Sequence, residues 1–244
     1  MFKPSRKLSI VIPVYNERVT VKETLERVIA APLPVDWDRE IIIVDDGSTD
    51  GTREELKKIG HKARIILRDK NGGKGAALKE GFKAAMGDYI LIQDADAEYD
   101  PSDYSGLLKP IIDNKTEVVF GSRMLGKNSV PLNRIYFYGG LMVTKIFNLL
   151  FGTNLTDVAT CYKIFPQKFA QGLVGLPSND FVFDVVELSF FLLRNSKKIN
   201  EVPIKYDSRD KGEGKKLNWR HGWRCLKRMA SLFIAEKWNR TRSL

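Results

Sequence analysis

The chain has 244 residues, 43% of them hydrophobic, enough for one large α/β core with a small appendage. Forty Lys and Arg against thirty Asp and Glu leave a net charge of +10, which suits phosphorylated metabolites, nucleic acid or an acidic membrane surface as partners. The two cysteines, Cys161 and Cys225, are far apart and lack metal-ligand spacing, so free thiols in a reducing compartment are expected rather than a disulfide scaffold.

The N-terminal stretch MFKPSRKLSIVIPVY lacks the apolar core of a signal peptide, because Pro13 and Asn16 cut the run short. LSIVIPVY (8–15) reads as a strand and 17–31 as a helix; EIIIVDD (40–46) is a second strand, with a helix over 49–59. ARIIL (63–67) and a helix over 74–86 follow, then DYILIQD (88–94), a helix near 102–113, and TEVVFGS (116–122). Continuous Val/Ile/Leu runs imply strands covered on both faces, and strand–helix alternation implies a doubly wound, mostly parallel sheet. The second half is less regular. An apolar segment over 135–151 is near the shortest length for a membrane span, but it carries Lys145 and a glycine pair and reads as an amphipathic or interfacial helix. A strand over 160–165, a helix over 183–195 and a strand over 199–206 come next. The stretch 207–218 is rich in glycine and charge, and 219–238 reads as a basic amphipathic helix. On that helix Trp223, Leu226, Ala230 and Phe233 are spaced to share a face that packs on the sheet, with burial in a membrane interface as the alternative.

In doubly wound sheets, ligands bind outside the carboxyl ends of the strands. PVYNE (13–17), DDGSTDG (45–51) and DADAE (94–98) each begin where a strand is predicted to end, so three polar clusters converge on one sheet edge. Asp94, Asp96, Glu98 and Asp100 occupy every second position, and like charges this close repel unless a cation lies among them. On extended backbone Asp94 and Asp96 aim at one point, with Glu98 behind them. A Mg²⁺ or Mn²⁺ clamped between these acids and a nucleoside diphosphate removes the repulsion. Asp100 precedes Pro101 and fits a helix cap instead. Asp45, at the second strand's tip, suits a nucleobase or ribose; Asp46 and Ser48 suit local turn bonds, and Thr49 or Asp50 a helix cap.

These segments, with NGGKGAALKEGFKAAMGDYILIQDADAEYDP and VVFGSR, resemble in order and spacing the nucleotide-sugar-binding half of inverting family-two glycosyltransferases. The likeness is close over 8–123 and looser through TDVATCYKIFP and YDSRDKGEGKKLNW. Within that family the chain is similar to polyprenyl-phosphate sugar synthases of the dolichyl-phosphate mannose synthase type. The resemblance implies an α/β GT-A fold, Rossmann-like with C-terminal amphipathic helices. It implies one domain over 1–244: a donor half to about residue 123 and an acceptor half beyond it. It further implies a divalent metal on Asp94 and Asp96, with Glu98 a third candidate ligand. Pro13, Tyr15 and Glu17 would line the nucleoside pocket, Asp45 would read the base, and Lys74 would sit by the donor phosphates. Arg123, Arg134 and Arg209 would hold the acceptor phosphate or the donor diphosphate, so Arg123 and Arg209 join the two aspartates as expected catalytic residues. Where mannose synthases carry Leu-Gln, this chain has Ala97-Glu98, which leaves the sugar open.

Expected partners are therefore a nucleotide-sugar, GDP-mannose or UDP-glucose, and a polyprenyl phosphate on the cytoplasmic face of a membrane. A lipid monophosphate has a second pKa of about 6 and needs no general base, only cations to position it. A basic block from Lys205 to Arg228 supplies cations. A hydroxyl acceptor, the rival reading, needs a carboxylate base, with Asp157 and Asp184 as candidates. His61 reads as a surface residue. Nucleic acid is not an expected partner: no binding motif is present, and the acids cluster where a phosphodiester would be repelled.

Overall fold

The computed structural model describes residues 5–126, 134–207 and 219–242. Its first half alternates β1 (Arg6–Val14), α1 (Val21–Ala30), β2 (Trp37–Asp45), α2 (Thr52–Ile59), β3 (Arg64–Leu67), α3 (Lys74–Ala84), β4 (Tyr89–Ile92), α4 (Tyr104–Ile112) and β5 (Val118–Ser122). The second half holds α5 (Arg134–Phe151), β6 (Lys163–Pro166), α6 (Ala170–Val174), α7 (Ser189–Asn195), β7 (Ile199–Pro203) and α8 (Trp219–Arg242). All strands join one seven-stranded sheet in the order β3-β2-β1-β4-β6-β5-β7. The β1–β2, β1–β4, β2–β3 and β5–β7 pairs are parallel, and β6 runs antiparallel between β4 and β5. The expected doubly wound sheet is present, with one reversed strand inserted.

The central strand β1 is buried from Leu8 to Val14. Fully burying each Val, Leu or Ile of such a strand contributes roughly 1.5–3 kcal/mol against leaving it in water. α3 lies directly on β1: a Cβ on Gly81 would come within 2.2 Å of Val11 Cγ1, so only glycine permits this approach. Phe82 of α3 meets Phe165 of β6 edge-on at 5.4 Å and Phe183 at 6.2 Å, tying the two halves together. The chain runs outward from β1 to β3, then returns to β1's other side as β4. That reversal opens a crevice at the carboxyl ends of β1 and β4.

Phe183–Leu188 forms a π-helical turn leading into α7, where the sequence suggested a continuous helix. It carries the buried acids Asp184 and Glu187. Glu187 accepts hydrogen bonds from Ser178 Oγ at 2.8 Å, Ser178 N at 3.1 Å and Arg228 Nε at 2.5 Å. α8 thereby docks chiefly on this turn and on α5 among the described residues, where the sheet was expected.

The apolar face expected for α8 is corrected. Cys225 and Met229 are buried and Leu226, Leu232 and Phe233 pack beside them, whereas Trp223 is 56% exposed and Ala230 is exposed. Trp223 precedes Cys225 by two residues, about 200° around the helix, and so points outward. Ile234 and Trp238 are also exposed, as are Tyr138, Met142 and Leu149 of α5, while Val143, Phe147 and Phe151 of α5 face the core. Among the described residues no helix is long and apolar enough to cross a membrane.

Candidate active site

The loops leaving β1 and β2 end flush, Val14 being paired with Asp45. They are laced together: Asn16 N donates to Ser48 Oγ at 2.9 Å, Glu17 N to Thr52 Oγ1 at 3.0 Å, and Thr49 N to Asn16 Oδ1 at 2.8 Å. Pro13 is buried, and Tyr15 and Glu17 are half-buried beside them. Asp45 is fully buried; its Oδ1 accepts from Ser48 N at 3.1 Å and Arg53 Nε at 2.7 Å. Its Oδ2 is buried without a hydrogen-bond partner among the described residues, a vacant acceptor at the tip of β2. Arg53, which the sequence did not single out, completes this pocket from α2.

Asp46 departs from its expected local turn role. It reaches across to the NGGKG segment, accepting from Gly73 N at 2.7 Å, Gly72 N at 3.1 Å and Arg68. Gly73 has φ +93°, and a Cβ there would stand 2.7 Å from Asn179 O. The bend delivers Lys74 to the first position of α3. Its ammonium bridges Asp94 Oδ1 at 2.7 Å and Asp184 Oδ2 at 2.8 Å. Burial opposes that charge, but Asp184 and Asp94 outweigh it and hold the lysine well above its usual pKa. Asp184 is in turn held by Lys163 at 3.1 Å, whose ammonium also donates to Thr160 O at 2.8 Å.

The DADAE motif is a turn, not the extended stretch expected. β4 ends at Ile92, and Ala97 takes φ +62°. α1 fixes the turn through Thr24 Oγ1 on Ala95 O at 3.1 Å and Arg27 on Ala97 O at 3.2 Å. Asp94 faces Lys74, Asp96 Oδ1 accepts from Glu98 N at 3.2 Å, and Glu98 Oε2 accepts from Tyr206 Oη at 2.7 Å. Asp100 caps the next turn through Ser102 N at 3.0 Å, as expected. Among the described residues no three His, Cys, Asp or Glu side chains converge as a ligand set. The donor set still fits a hard divalent cation, because such ions take one or two carboxylates plus phosphate oxygens. Asp94 is here paired with the Lys74 ammonium.

At the same sheet edge, Arg123 follows β5 and grips Asp157 through Nε at 2.7 Å and Nη2 at 2.8 Å. Asp157 N donates to Glu201 at 3.0 Å, and Tyr206 lies over the guanidinium at 5.1 Å. Both candidate bases, Asp157 and Asp184, are thus buried ion-pair partners. Arg209 and the side chain of Arg134 lie outside the described residues. Cys161 and Cys225 are free and buried, and His61 is exposed.

Comparison with known proteins gives this geometry a family. The chain is 32% identical over 207 residues to the uncharacterised protein MJ1222 of Methanocaldococcus jannaschii, covering 82% of this chain and 81% of that one. It is 28% identical to a dolichol-phosphate mannosyltransferase of Pyrococcus furiosus, covering 86% of this chain and 59% of the relative. It is 26% identical to an undecaprenyl-phosphate 4-deoxy-4-formamido-L-arabinose transferase of Edwardsiella ictaluri, covering 88% of this chain and 64% of the relative. The chain thus spans less than two thirds of the length of the latter two. Among solved structures, glucosyl-3-phosphoglycerate synthase of Mycobacterium tuberculosis with Mn²⁺, UDP-glucose and phosphoglyceric acid superposes with a TM-score of 0.68 at 20% identity, covering 93% of this chain and 80% of that chain. The fold is that of the GT-A glycosyltransferases. Residues 9–172 match the model of Glycosyl transferase family 2, and the chain belongs to that family.

Proposed function

We propose that this glycosyltransferase moves a hexose, mannose or glucose, from a nucleotide-sugar to a polyprenyl phosphate, with inversion at the anomeric carbon. One observation carries the acceptor class: both carboxylates that the sequence offers as a base are tied up in ion pairs, Asp157 by Arg123 and Asp184 by Lys74 and Lys163. A hydroxyl acceptor needs a base; a phosphate dianion arrives already ionised. The names of the two polyprenyl-phosphate relatives support the same class.

In this reading a phosphate oxygen of the acceptor attacks the anomeric carbon from the face opposite the nucleoside diphosphate. The carbon–oxygen bond to the diphosphate breaks, and its electron pair leaves with that group. Asp45 takes a base N–H, and Lys74 stabilises the charge gathering on the diphosphate. Asp94 and Asp96 would hold a Mg²⁺ or Mn²⁺, whose charge would further neutralise that diphosphate. Arg123, its orientation fixed by Asp157, presents its other N–H groups to the acceptor phosphate, a task suited to a planar guanidinium.

The lipid acceptor requires a membrane surface, and α8 supplies a face for one. Trp223, Ile234 and Trp238 are exposed there with Arg220, Arg224 and Lys227, an apolar and cationic combination suited to an anionic interface. The test is a screen of GDP-mannose, UDP-glucose and UDP-GlcNAc against a polyprenyl phosphate and its dephosphorylated alcohol, with and without Mn²⁺. Metal-dependent transfer to the phosphate alone is expected; transfer to the alcohol alone refutes the reading.

A further inference from the structure

We propose that Glu98 is a positioning residue for Arg123, acting through Tyr206, rather than a third ligand of the metal. The proposal rests on the reading of Arg123 as the acceptor-phosphate group. Ala97, at φ +62°, turns the chain between Asp96 and Glu98, and Asp94 is engaged with Lys74 while Glu98 is engaged with Tyr206. Its carboxylate accepts the Tyr206 hydroxyl at 2.7 Å. The backbone joins in the same place: Tyr206 forms a bridge with Tyr99, and Asp207 N donates to Glu98 O at 2.9 Å.

Among the described residues the ring so anchored meets Tyr99 and Arg123. Tyr99 packs against it at 5.2 Å with planes 64° apart, and the Arg123 guanidinium lies over it at 5.1 Å. Asp157 holds Arg123 by one edge only. A planar group gripped at one edge can still rock about that edge, and a ring against its face removes the rocking. Tyr206 supplies the face, and Glu98 keeps Tyr206 in register. A cation–π contact is weak in itself, so the effect lies in orientation rather than in attraction. The carboxylate two residues beyond Asp96 thereby links the donor motif to the acceptor-side arginine.

Equilibrium binding separates the roles. Farnesyl phosphate serves as a soluble acceptor probe, and Mn²⁺ affinity is read by electron paramagnetic resonance in the presence of UDP or GDP. Glu98→Ala is expected to weaken farnesyl phosphate binding by about tenfold while leaving Mn²⁺ affinity within about twofold of wild type. Tyr206→Phe, which keeps the ring and loses the hydroxyl, should reproduce the loss. Glu98→Gln, whose carbonyl still accepts that hydroxyl, should restore binding. A fall in Mn²⁺ affinity for Glu98→Ala, or full farnesyl phosphate affinity in Tyr206→Phe, overturns the proposal. Arg123→Lys is the control: loss of probe binding there with none in Tyr206→Phe sinks this inference alone. Undiminished binding in Arg123→Lys, or no binding by the wild type, sinks the reading of Arg123 itself.

Discussion

Replacing Asp184 by Asn tests whether the buried charge chain of the site is also a structural element. Asp184 and Lys163 have side chains 2% and 0% exposed, 3.1 Å apart. The amide keeps the shape and one accepting oxygen but leaves the Lys163 ammonium with neutral acceptors among the described residues, including the carbonyls of Thr160 at 2.8 Å and residue 184 at 3.0 Å. Breaking a buried pair in this way costs roughly 3–5 kcal/mol, and the surviving carbonyl bonds argue for the lower end, about 3 kcal/mol. In a domain of this size that lowers Tm by about 6–12 °C, measurable by circular dichroism. Burial raises the Asp184 carboxyl, but Lys163 and then Lys74 outweigh it and depress its pKa. A depressed carboxyl contributes stability above its unfolded value of about 3.9 and loses it as the pH falls through the folded value. The Tm gap between wild type and variant should therefore be full at neutral pH and shrink below about pH 4. The double variant Asp184→Leu with Lys163→Met should recover most of the loss, since no unpaired charge remains. An Asp184→Asn protein as stable as wild type at pH 7 would refute the reasoning.

Asp94→Asn and Asp96→Asn should each lower transfer by about a hundredfold or more and weaken Mn²⁺ binding in the presence of nucleoside diphosphate, read by electron paramagnetic resonance. Wild-type turnover in either would remove the metal from the account. Trp223→Glu combined with Trp238→Glu should cut partition onto phosphatidylglycerol vesicles by about tenfold in a sedimentation assay, and raising the salt concentration should weaken wild-type binding. Unchanged partition would move the membrane face away from α8.

Much of the sheet was legible because each strand end carried its own signal. The apolar runs 8–15, 40–46 and 88–94 lie on β1, β2 and β4, and the polar clusters after them meet at one edge. Proximity within the site was harder to read than membership. Lys74 and Asp94 were both expected near the donor, but nothing local says that Asp184, far along the chain, meets the same ammonium. The available signal was an acid inside the apolar run FVFDVVELSFFLL, since a charge buried there requires a partner. The bend at Ala97 escaped because a left-handed backbone is unusual for alanine, and the alternation of acids suggested extension instead. The face of α8 was misjudged because Cys225 and Met229 were not weighed as its buried pair, while Trp223 drew the stripe to the wrong side.

The wide turn at Phe183–Leu188 gives two distant tasks a common mount. Asp184 grips the lysine beside the donor motif, and Glu187, three places on, grips Arg228 of the outermost helix. Any force on that helix is delivered to a turn whose neighbouring acid holds Lys74. Homologous helices could not be exchanged freely in such a design: a graft that fails to return an arginine to Glu187 leaves that buried acid with the neutral donors of Ser178 in place of a cation, on the turn that also carries Asp184.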